Sequence, residues 1–468
     1  MLYAILFFLL RLPSLFEPYW YGDEGIYLAL GQAIRQGFIL FEQIHDNKPP
    51  TLYYFAALAQ TVFGFRLLLL LFMIPTVYFF HRLSQNILKS KPLSQVSTLL
   101  FIILTSIPLI EGNIANAEVF MLLPTILAVY IFYKHFSISN LPIKALASVG
   151  LLLGFAFTIK VPVAFEAAFL GLWILIFHKS KIKNLFVFAL SFLTPIFIYL
   201  IYFTIKGALE PFLFAALFQN FTYLSSWSGR THQPSLASSG LVWRGLILIF
   251  TWILSFILYR KKIISKNLFF ISAWLFATIF GALLPGRPYP HYLIQVLPPL
   301  CLLPFFFSKA KCWIFFTLSL LTYSFFRYKF YFYPVLPYYA NFYSYVIGKK
   351  SRDEYLQYFG SKVPQNYILA NKIKSLTTPS DRIYVWGDHS SIFPLSDRLP
   401  ATKYIVSYHV VDFKAHDRTI SELKAITPKL IIYYPQPSRP FPQLDRLISN
   451  YYVLIDKVGL AYIFQLRQ

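Results

Sequence analysis

Charge is what this sequence has least of. Of its 468 residues 13% are charged, about half the share of an ordinary soluble domain. Hydrophobic residues make up 57% and the mean hydropathy is +0.57. So little polar surface cannot cover a soluble fold of this size, which leaves a polytopic membrane protein. Acidic residues are scarcer still, 19 against 42 lysines and arginines, for a net charge of +23. In a soluble chain that surplus would point to nucleic acid. In a membrane chain it marks cytoplasmic loops, and no nucleic-acid partner is expected. Cysteine is nearly absent. Cys301 and Cys312 lie near the ends of hydrophobic segments flanking Lys309 and Lys311, which excludes a disulfide framework and a thiolate metal site. There is no phosphate-binding glycine loop, internal repeat or low-complexity tract. The first apolar stretch, from Leu2, has no small-residue cleavage site and runs into Arg11-Leu12-Pro13. It reads as a retained span, not a signal peptide.

What remains is apolar and aromatic. An aromatic share of 20%, with 34 Tyr and 50 Phe, fits many membrane interfaces. A bilayer core takes about 20 apolar residues per helix. That predicts about eleven spans, at 1–16, 65–82, 93–110, 118–135, 143–159, 161–178, 184–205, 241–259, 267–284, 291–307 and 312–330. Segment 51–64 is apolar but short, and fits a re-entrant or interfacial helix as well as a short span.

Charge decides how 51–64 is read. If it does not cross, alternate connections carry Arg82/Lys89/Lys91, Lys134/Lys144, Lys179/Lys181/Lys183, Arg260/Lys261/Lys262/Lys266 and Lys309/Lys311, with no acid among them. The opposite connections hold Glu17, Asp23, Glu24, Glu42, Asp46, Glu111, Glu118 and Glu210. The basic side is then cytoplasmic. The N-terminus falls inside, and loop 17–64, loop 206–240 and everything after about residue 331 fall outside.

The tail differs in kind. Residues 381–387 and 428–435 read as strands, 364–376 and 442–450 as helices, and 451–456 and 459–466 as two further strands. The expected organisation is a membrane domain over 1–335 with an outer loop at 17–64, then a small extracytoplasmic α/β domain over 336–468. Trp386-Gly387-Asp388-His389 reads as a strand-end turn rather than a site.

Three groups of residues could carry chemistry, all on the outer side. Asp23-Glu24 is flanked by Gly22 and Gly25 and precedes an amphipathic stretch, 26–39, with Ile26, Leu30, Ala33 and Ile34 on one face. Acids also suit a helix start, so capping accounts for one of the pair. In His45-Asp46-Asn47-Lys48-Pro49-Pro50-Thr51, the prolines fix the backbone and start a helix at Thr51, which presents Asp46 and Lys48 rigidly. Polar residues at outer span ends form the third group: Asn113, Asn116 and Glu118, Lys160 and Glu166, and Arg287 with His291. Ionisable groups there are costly and so are functional candidates. Lys160 and Glu166 read best as a structural pair, and Arg11 as a residue that snorkels. Arg287 suits phosphate through its planar fork. Carboxylates can deprotonate an acceptor hydroxyl and cations can stabilise a leaving phosphate, which suggests group transfer from a membrane-held phosphate donor.

These residues, in this order, resemble the GT-C glycosyltransferases of the protein O-mannosyltransferase and aminoarabinose-transferase group (glycosyltransferase family 39-like), which includes lipopolysaccharide galacturonosyltransferases. The matching motifs are Asp23-Glu24, Asp46-Asn47-Lys48-Pro49-Pro50-Thr51-Leu52-Tyr53-Tyr54, Asn116-Ala117-Glu118, the helix from Gly150 through Gly154 to Lys160, and Arg287 to Pro299. They cover residues 1–310, and the tail resembles the outer domain of many bacterial members. The resemblance implies an inverting transfer from a polyprenyl-phosphate-linked sugar, in bacteria undecaprenyl phosphate. It implies Asp23 as general base and Glu24 orienting acceptor or sugar. Lys48, Arg287 and His291 would bind the lipid phosphate, with Asp46, Glu118 and Tyr292 shaping the pocket. The family is divided on metal dependence. A divalent metal is therefore compatible with the reading, although the sequence carries no strong metal motif. The acceptor would be lipid A, an envelope glycan or protein, and the place of action would be the outer face of the cytoplasmic membrane, among its lipids. Two other classes fit parts of the pattern: a transporter or flippase of lipid-linked sugars, and a non-catalytic envelope assembly protein. The transporter would not need adjacent outer carboxylates, and two matching halves with interrupted spans are not seen.

Overall fold

The computed structural model describes residues 2–136, 141–220 and 240–467. Most of the expected outer loop 206–240 therefore lies outside the described residues. Five described helices are long and apolar enough to cross a membrane: Val62–Leu88, Ala117–Lys134, Lys181–Ile205, Leu241–Arg260 and Lys266–Leu283. Shorter apolar helices stand at Tyr3–Leu15, Lys91–Leu104, Ile143–Phe157 and Val163–Phe177, and Lys311–Tyr328 is a further helix. The chain is a polytopic α-helical membrane protein. It divides into two compact units, one of Met1–Leu12, Leu69–Thr204 and Ala216–Val335, the other of Pro13–Leu68, Ile205–Ala215 and Leu336–Gln468. The loop expected to go with the membrane part thus clusters with the tail.

In the first unit the helices pack through small residues. A Cβ on Gly150 would lie 2.4 Å from the Phe188 carbonyl oxygen, and one on Gly154 would lie 2.0 Å from that of Phe192. Only glycine permits that approach, the small-xxx-small pattern of membrane helices. The expected span 291–307 is not one α-helix. Pro290–Val296 and Leu303–Lys309 are 3₁₀ turns around a single α turn, Leu297–Leu300. Pro290, Pro298, Pro299 and Pro304 each lack the N–H that an α ladder needs. Arg11 does not snorkel either. It is fully buried and donates to the carbonyls of Thr105 (2.8 Å) and Gly112 (2.6 Å).

In the second unit, Pro50 occupies the cap position of helix Thr51–Ala59, which stops at Gln60 with φ +66°. Nine residues at 1.5 Å each reach about 13 Å, too short to cross a bilayer core. The stretch expected to be amphipathic over 26–39 is a helix, Gly22–Arg35, buried on every side from Glu24 to Ala33. A Cβ on Gly31 would lie 2.6 Å from Ala57 N of the neighbouring helix.

The tail carries a five-stranded sheet, β1 (Arg382–Trp386), β2 (Leu399–Pro400), β3 (Leu430–Tyr433), β4 (Tyr452–Val458) and β5 (Ala461–Leu466), in the order β2-β1-β3-β5-β4. β1 runs parallel to β2 and β3, and β5 is antiparallel to β3 and β4. Helices Lys362–Leu376 and Pro442–Tyr451 stand where sequence spacing puts them. The core on one face gathers Tyr384, Trp386, Ile431, Leu444 and Tyr452.

Candidate active site

In the second unit Asp23 and Lys48 meet. Lys48 Nζ is 3.2 Å from Asp23 Oδ2, with side chains 15% and 34% exposed. The same oxygen accepts from the Tyr27 hydroxyl at 2.9 Å, and the ammonium stands 4.8 Å from the Tyr27 ring centroid. A carboxylate at the edge of solvent, held by one lysine and one phenol, can take a proton from an incoming hydroxyl. Tyr27 sits one turn after Asp23 on the same helix, so helical geometry alone delivers it.

Asp46 is buried, and its Oδ2 accepts from the Tyr53 hydroxyl at 2.8 Å. That hydroxyl in turn accepts from Lys48 N–H at 3.0 Å. Asp46 Oδ1 lies 3.8 Å from His409 Nε2. Burial, with the positive charge of Lys48, pushes the His409 proton affinity down to about 4, against the pull of Asp46. The ring is therefore neutral at pH 7.

Glu24 takes a different course from its neighbour. It accepts from Arg66 Nε at 2.9 Å and from its second terminal nitrogen at 2.6 Å, a bidentate pair. Glu17 lies 2.7 Å from the other terminal nitrogen of Arg66 and also accepts from Trp20 (2.6 Å) and the Tyr338 hydroxyl (2.5 Å). Arg66, Glu17 and Glu24 are all buried. Sequence reading missed Arg66. A lone arginine in an otherwise apolar span was the available signal.

In the first unit, Glu111, Glu118, Lys160, His291 and Tyr292 gather. Lys160 Nζ is 2.7 Å from Glu118 Oε1 and 5.2 Å from the Tyr292 ring centroid. His291 Nδ1 bonds Glu111, and its Nε2 is 3.9 Å from Glu118. The expected Lys160–Glu166 pair does not form. Glu166 instead accepts from Trp274 Nε1 at 2.8 Å, deeper in the bundle. Arg287 is half-buried in the connection before His291. Glu111, noted in sequence only as an outer acid, is the partner that sets the His291 ring.

On the tail, the turn after β1 has more structure than a plain strand end. Asp388 accepts from Ser407 Oγ and Arg439, each at 2.6 Å. Burial pushes the Asp388 carboxyl up, but these bonds outweigh it and hold it below its usual value. His389 stacks on Tyr434 at 3.9 Å, and burial beside Lys362 holds it down to about 4. Among the described residues, no group of three or more His, Cys, Asp or Glu side chains is placed to hold a metal ion.

No family model matches the sequence. No curated protein matches it. Solved structures do. ArnT from Cupriavidus metallidurans bound to undecaprenyl phosphate superposes with a TM-score of 0.62 at 10% identity, covering 99% of this chain and 97% of that one. The same protein in its apo state gives 0.47 at 11% identity, over 99% and 97% of the two chains. The archaeal oligosaccharyltransferase AglB from Archaeoglobus fulgidus, in complex with an inhibitory peptide and a dolichol-phosphate, gives 0.46 at 11% identity, over 100% and 74%. At 10% identity the likeness to undecaprenyl-phosphate-bound ArnT is one of fold.

Proposed function

We propose that this protein is an inverting glycosyltransferase that moves a sugar from a polyprenyl-phosphate donor to a hydroxyl of a membrane-associated acceptor. One observation carries the reading: Asp23, the base candidate, is the partly exposed carboxylate of the pair and stands 3.2 Å from the Lys48 ammonium. Asp23 takes the proton from the acceptor hydroxyl. The freed oxygen lone pair attacks the anomeric carbon on the face opposite the phosphate. The bond from that carbon to the phosphate oxygen breaks, its electron pair leaves with the polyprenyl phosphate, and the configuration inverts. Lys48 receives the negative charge of the phosphate. Glu118 and Tyr292 act on Lys160, one by ion pair and the other by its ring. Glu24, bound to Arg66, seats the helix rather than the sugar. The fold shared with ArnT, a protein seen with undecaprenyl phosphate, supports such a donor.

The reaction is placed on the outer face of the cytoplasmic membrane. The N-terminus is then cytoplasmic, and residues 336–468 form an extracytoplasmic domain. Mass spectrometry of envelope lipids and glycans, with and without the protein, tests the reading. The expected result is loss of one sugar mass from one acceptor, and the same loss with Asp23→Asn in a protein that still inserts. Retained transfer in Asp23→Asn would remove Asp23 as base. Lipid-linked sugar crossing the membrane with no glycosylated product would indicate a transporter instead.

A further inference from the structure

The Asp23–Lys48 pair does not hold itself in place. Its members lie 25 residues apart in sequence, and a lysine ammonium on a four-carbon stem has little intrinsic preference of direction. Pro49 and Pro50 stiffen the chain after Lys48, and Tyr53 closes the loop before them. The Tyr53 hydroxyl donates to Asp46 and accepts from Lys48 N–H, at 2.8 and 3.0 Å. Tyr53 and Asp46 are both buried. The phenol thus acts as a strut across the loop from Asp46 to Tyr53, and its hydroxyl bonds end on the backbone of Lys48 and on the Asp46 carboxylate.

The strut is backed by the tail. His409, also buried, places its Nε2 3.8 Å from Asp46. That is too long for a hydrogen bond, so the ring acts by filling space and keeping water from Asp46. His45, next to Asp46, donates its backbone N–H to the Lys403 carbonyl at 3.1 Å. The His45 ring packs edge-on against those of His409 and Phe413, with centroids 5.5 and 5.0 Å away. The other member of the pair is seated on the same tail. Ser390 Oγ donates to the Gly22 carbonyl at 3.2 Å. Gly25 has no room for a side chain, since a Cβ there would lie 2.8 Å from Ser390 Oγ and 3.0 Å from Ser391 N. The residues that follow β1 thus hold the Asp23 turn. In many open α/β sheets that edge binds a ligand. The titratable groups around this strut are Asp23, Asp46 and Lys48 on the loop side and Asp388 and the neutral His409 on the tail.

We propose that Tyr53 and His409 are positioning residues for the transfer: acting through Asp46, they fix the backbone of Lys48 and so set its ammonium against Asp23. The proposal rests on the reading that Asp23 and Lys48 carry the reaction. It moves Asp46 from substrate contact to bracing of the loop, and it makes the tail part of the catalytic machinery.

The experiment compares Tyr53→Phe, His409→Ala and His409→Phe, each alone and combined with Lys48→Arg, in the full-length protein. Transfer rates and labelling of Lys48 by an amine-reactive reagent, read by mass spectrometry, are both measured. Displacing a reacting group by about 1 Å can cost up to a hundredfold. Tyr53→Phe and His409→Ala are therefore expected to lower kcat about tenfold or more, with a smaller change in KM for the donor. His409→Phe, which refills the space, restores most of the rate. Added to Lys48→Arg, Tyr53→Phe costs less than about twofold more, because the residue it positions is already altered. Lys48 labels faster in Tyr53→Phe and His409→Ala, while Lys372 and Lys429, elsewhere on the tail, label as in the parent.

Full additivity of Tyr53→Phe with Lys48→Arg, or unchanged Lys48 labelling in both single variants, overturns the proposal. If Tyr53→Phe fails to fold, the His409→Ala and His409→Phe pair decides alone. The labelling arm is independent of the reaction. Faster Lys48 labelling in a protein whose Asp23→Asn variant stays active would uphold the strut and overturn the assigned chemistry.

Discussion

Two adjacent carboxylates with opposite fates give the sharpest test of this structure. Asp23 is about one-third exposed and paired with one lysine. Exposed pairs of that kind contribute about 0.2–1 kcal/mol, so Asp23→Asn should cost stability no more than about 1 kcal/mol. Glu24 is buried and takes two charge-assisted bonds from a fully buried Arg66. Removing one partner of a buried pair costs about 3–5 kcal/mol. Glu17 and the Ser14 carbonyl still satisfy part of the guanidinium, so Glu24→Ala belongs near the low end, at about 3 kcal/mol. The unit that holds both residues has about 200 residues. At roughly 2–4 °C per kcal/mol for that size, the midpoint should fall by about 6–12 °C. Melting in detergent followed by tryptophan fluorescence, at one scan rate for all variants, gives the shift. Transfer activity is read below the melting range. The expected result is a double dissociation, with Asp23→Asn stable and inactive and Glu24→Ala unstable but active when cold. A Glu24→Ala protein with the parental midpoint and no activity would refute the division, because Glu24 would then touch substrate rather than hold the helix.

Three further outcomes follow from the same packing. His409 and His389 are both held down to about 4, below the usual histidine value near 6.5. The unfolded chain therefore binds their protons first, and stability is full above pH 6.5 and lost as pH falls from 6.5 toward 4. Urea unfolding of the tail followed through buried Trp386 should show that loss. His409→Phe should flatten part of it, and an unchanged slope would mean that the ring is not buried neutral. Gly154→Leu should prevent correct packing of Ile143–Phe157, since even a Cβ meets the Phe192 carbonyl at 2.0 Å; a folded, monodisperse protein on size exclusion would contradict the close approach. Lys160→Met leaves buried Glu118 without its ammonium, 2.7 Å away. It should lower stability by about 3–5 kcal/mol, and Glu118→Gln in the same chain should recover most of that in a melting assay.

The legible parts of the molecule were those set by local pattern. The tail strands were read to within a few residues because proline and turn residues bracket short β-branched runs, as at Pro428 and Pro435 around β3. β2, two residues long, carries no pattern to read. Span 291–307 misled because hydropathy counts proline-rich apolar turns as readily as a helix. Asp23, Asp46 and Lys48 stood out because charge is rare here and two prolines follow the lysine. What sequence did not reveal is which charge pairs with which. Lys160 was matched to Glu166, six residues on, yet it binds Glu118, 42 residues back. Arg66 reaches Glu17 and Glu24 across more than 40 residues, and His409 reaches Asp46 across more than 350. Such pairings are products of tertiary packing, and a single sequence carries no local trace of them.

Under the proposed function, the pairings favour one cation of the second unit over the other as the one a phosphate recruits. Arg66 is fully buried among two carboxylates and a backbone carbonyl, and drawing it away would strand both acids at several kcal/mol. In the proposed reaction Lys48 gives up its partly exposed pair with Asp23, about 1 kcal/mol, in exchange for a phosphate. In the proposed reaction that exchange also releases the Asp23 carboxylate toward an acceptor proton. Lys48→Met should therefore depress transfer far more than it depresses stability, with the melting midpoint within about 4 °C of the parent. Lys48→Arg, which keeps the charge but alters its geometry, should retain intermediate activity. Wild-type turnover in Lys48→Met would show that the phosphate is held without this residue, and Lys48 would then have no part in the reaction.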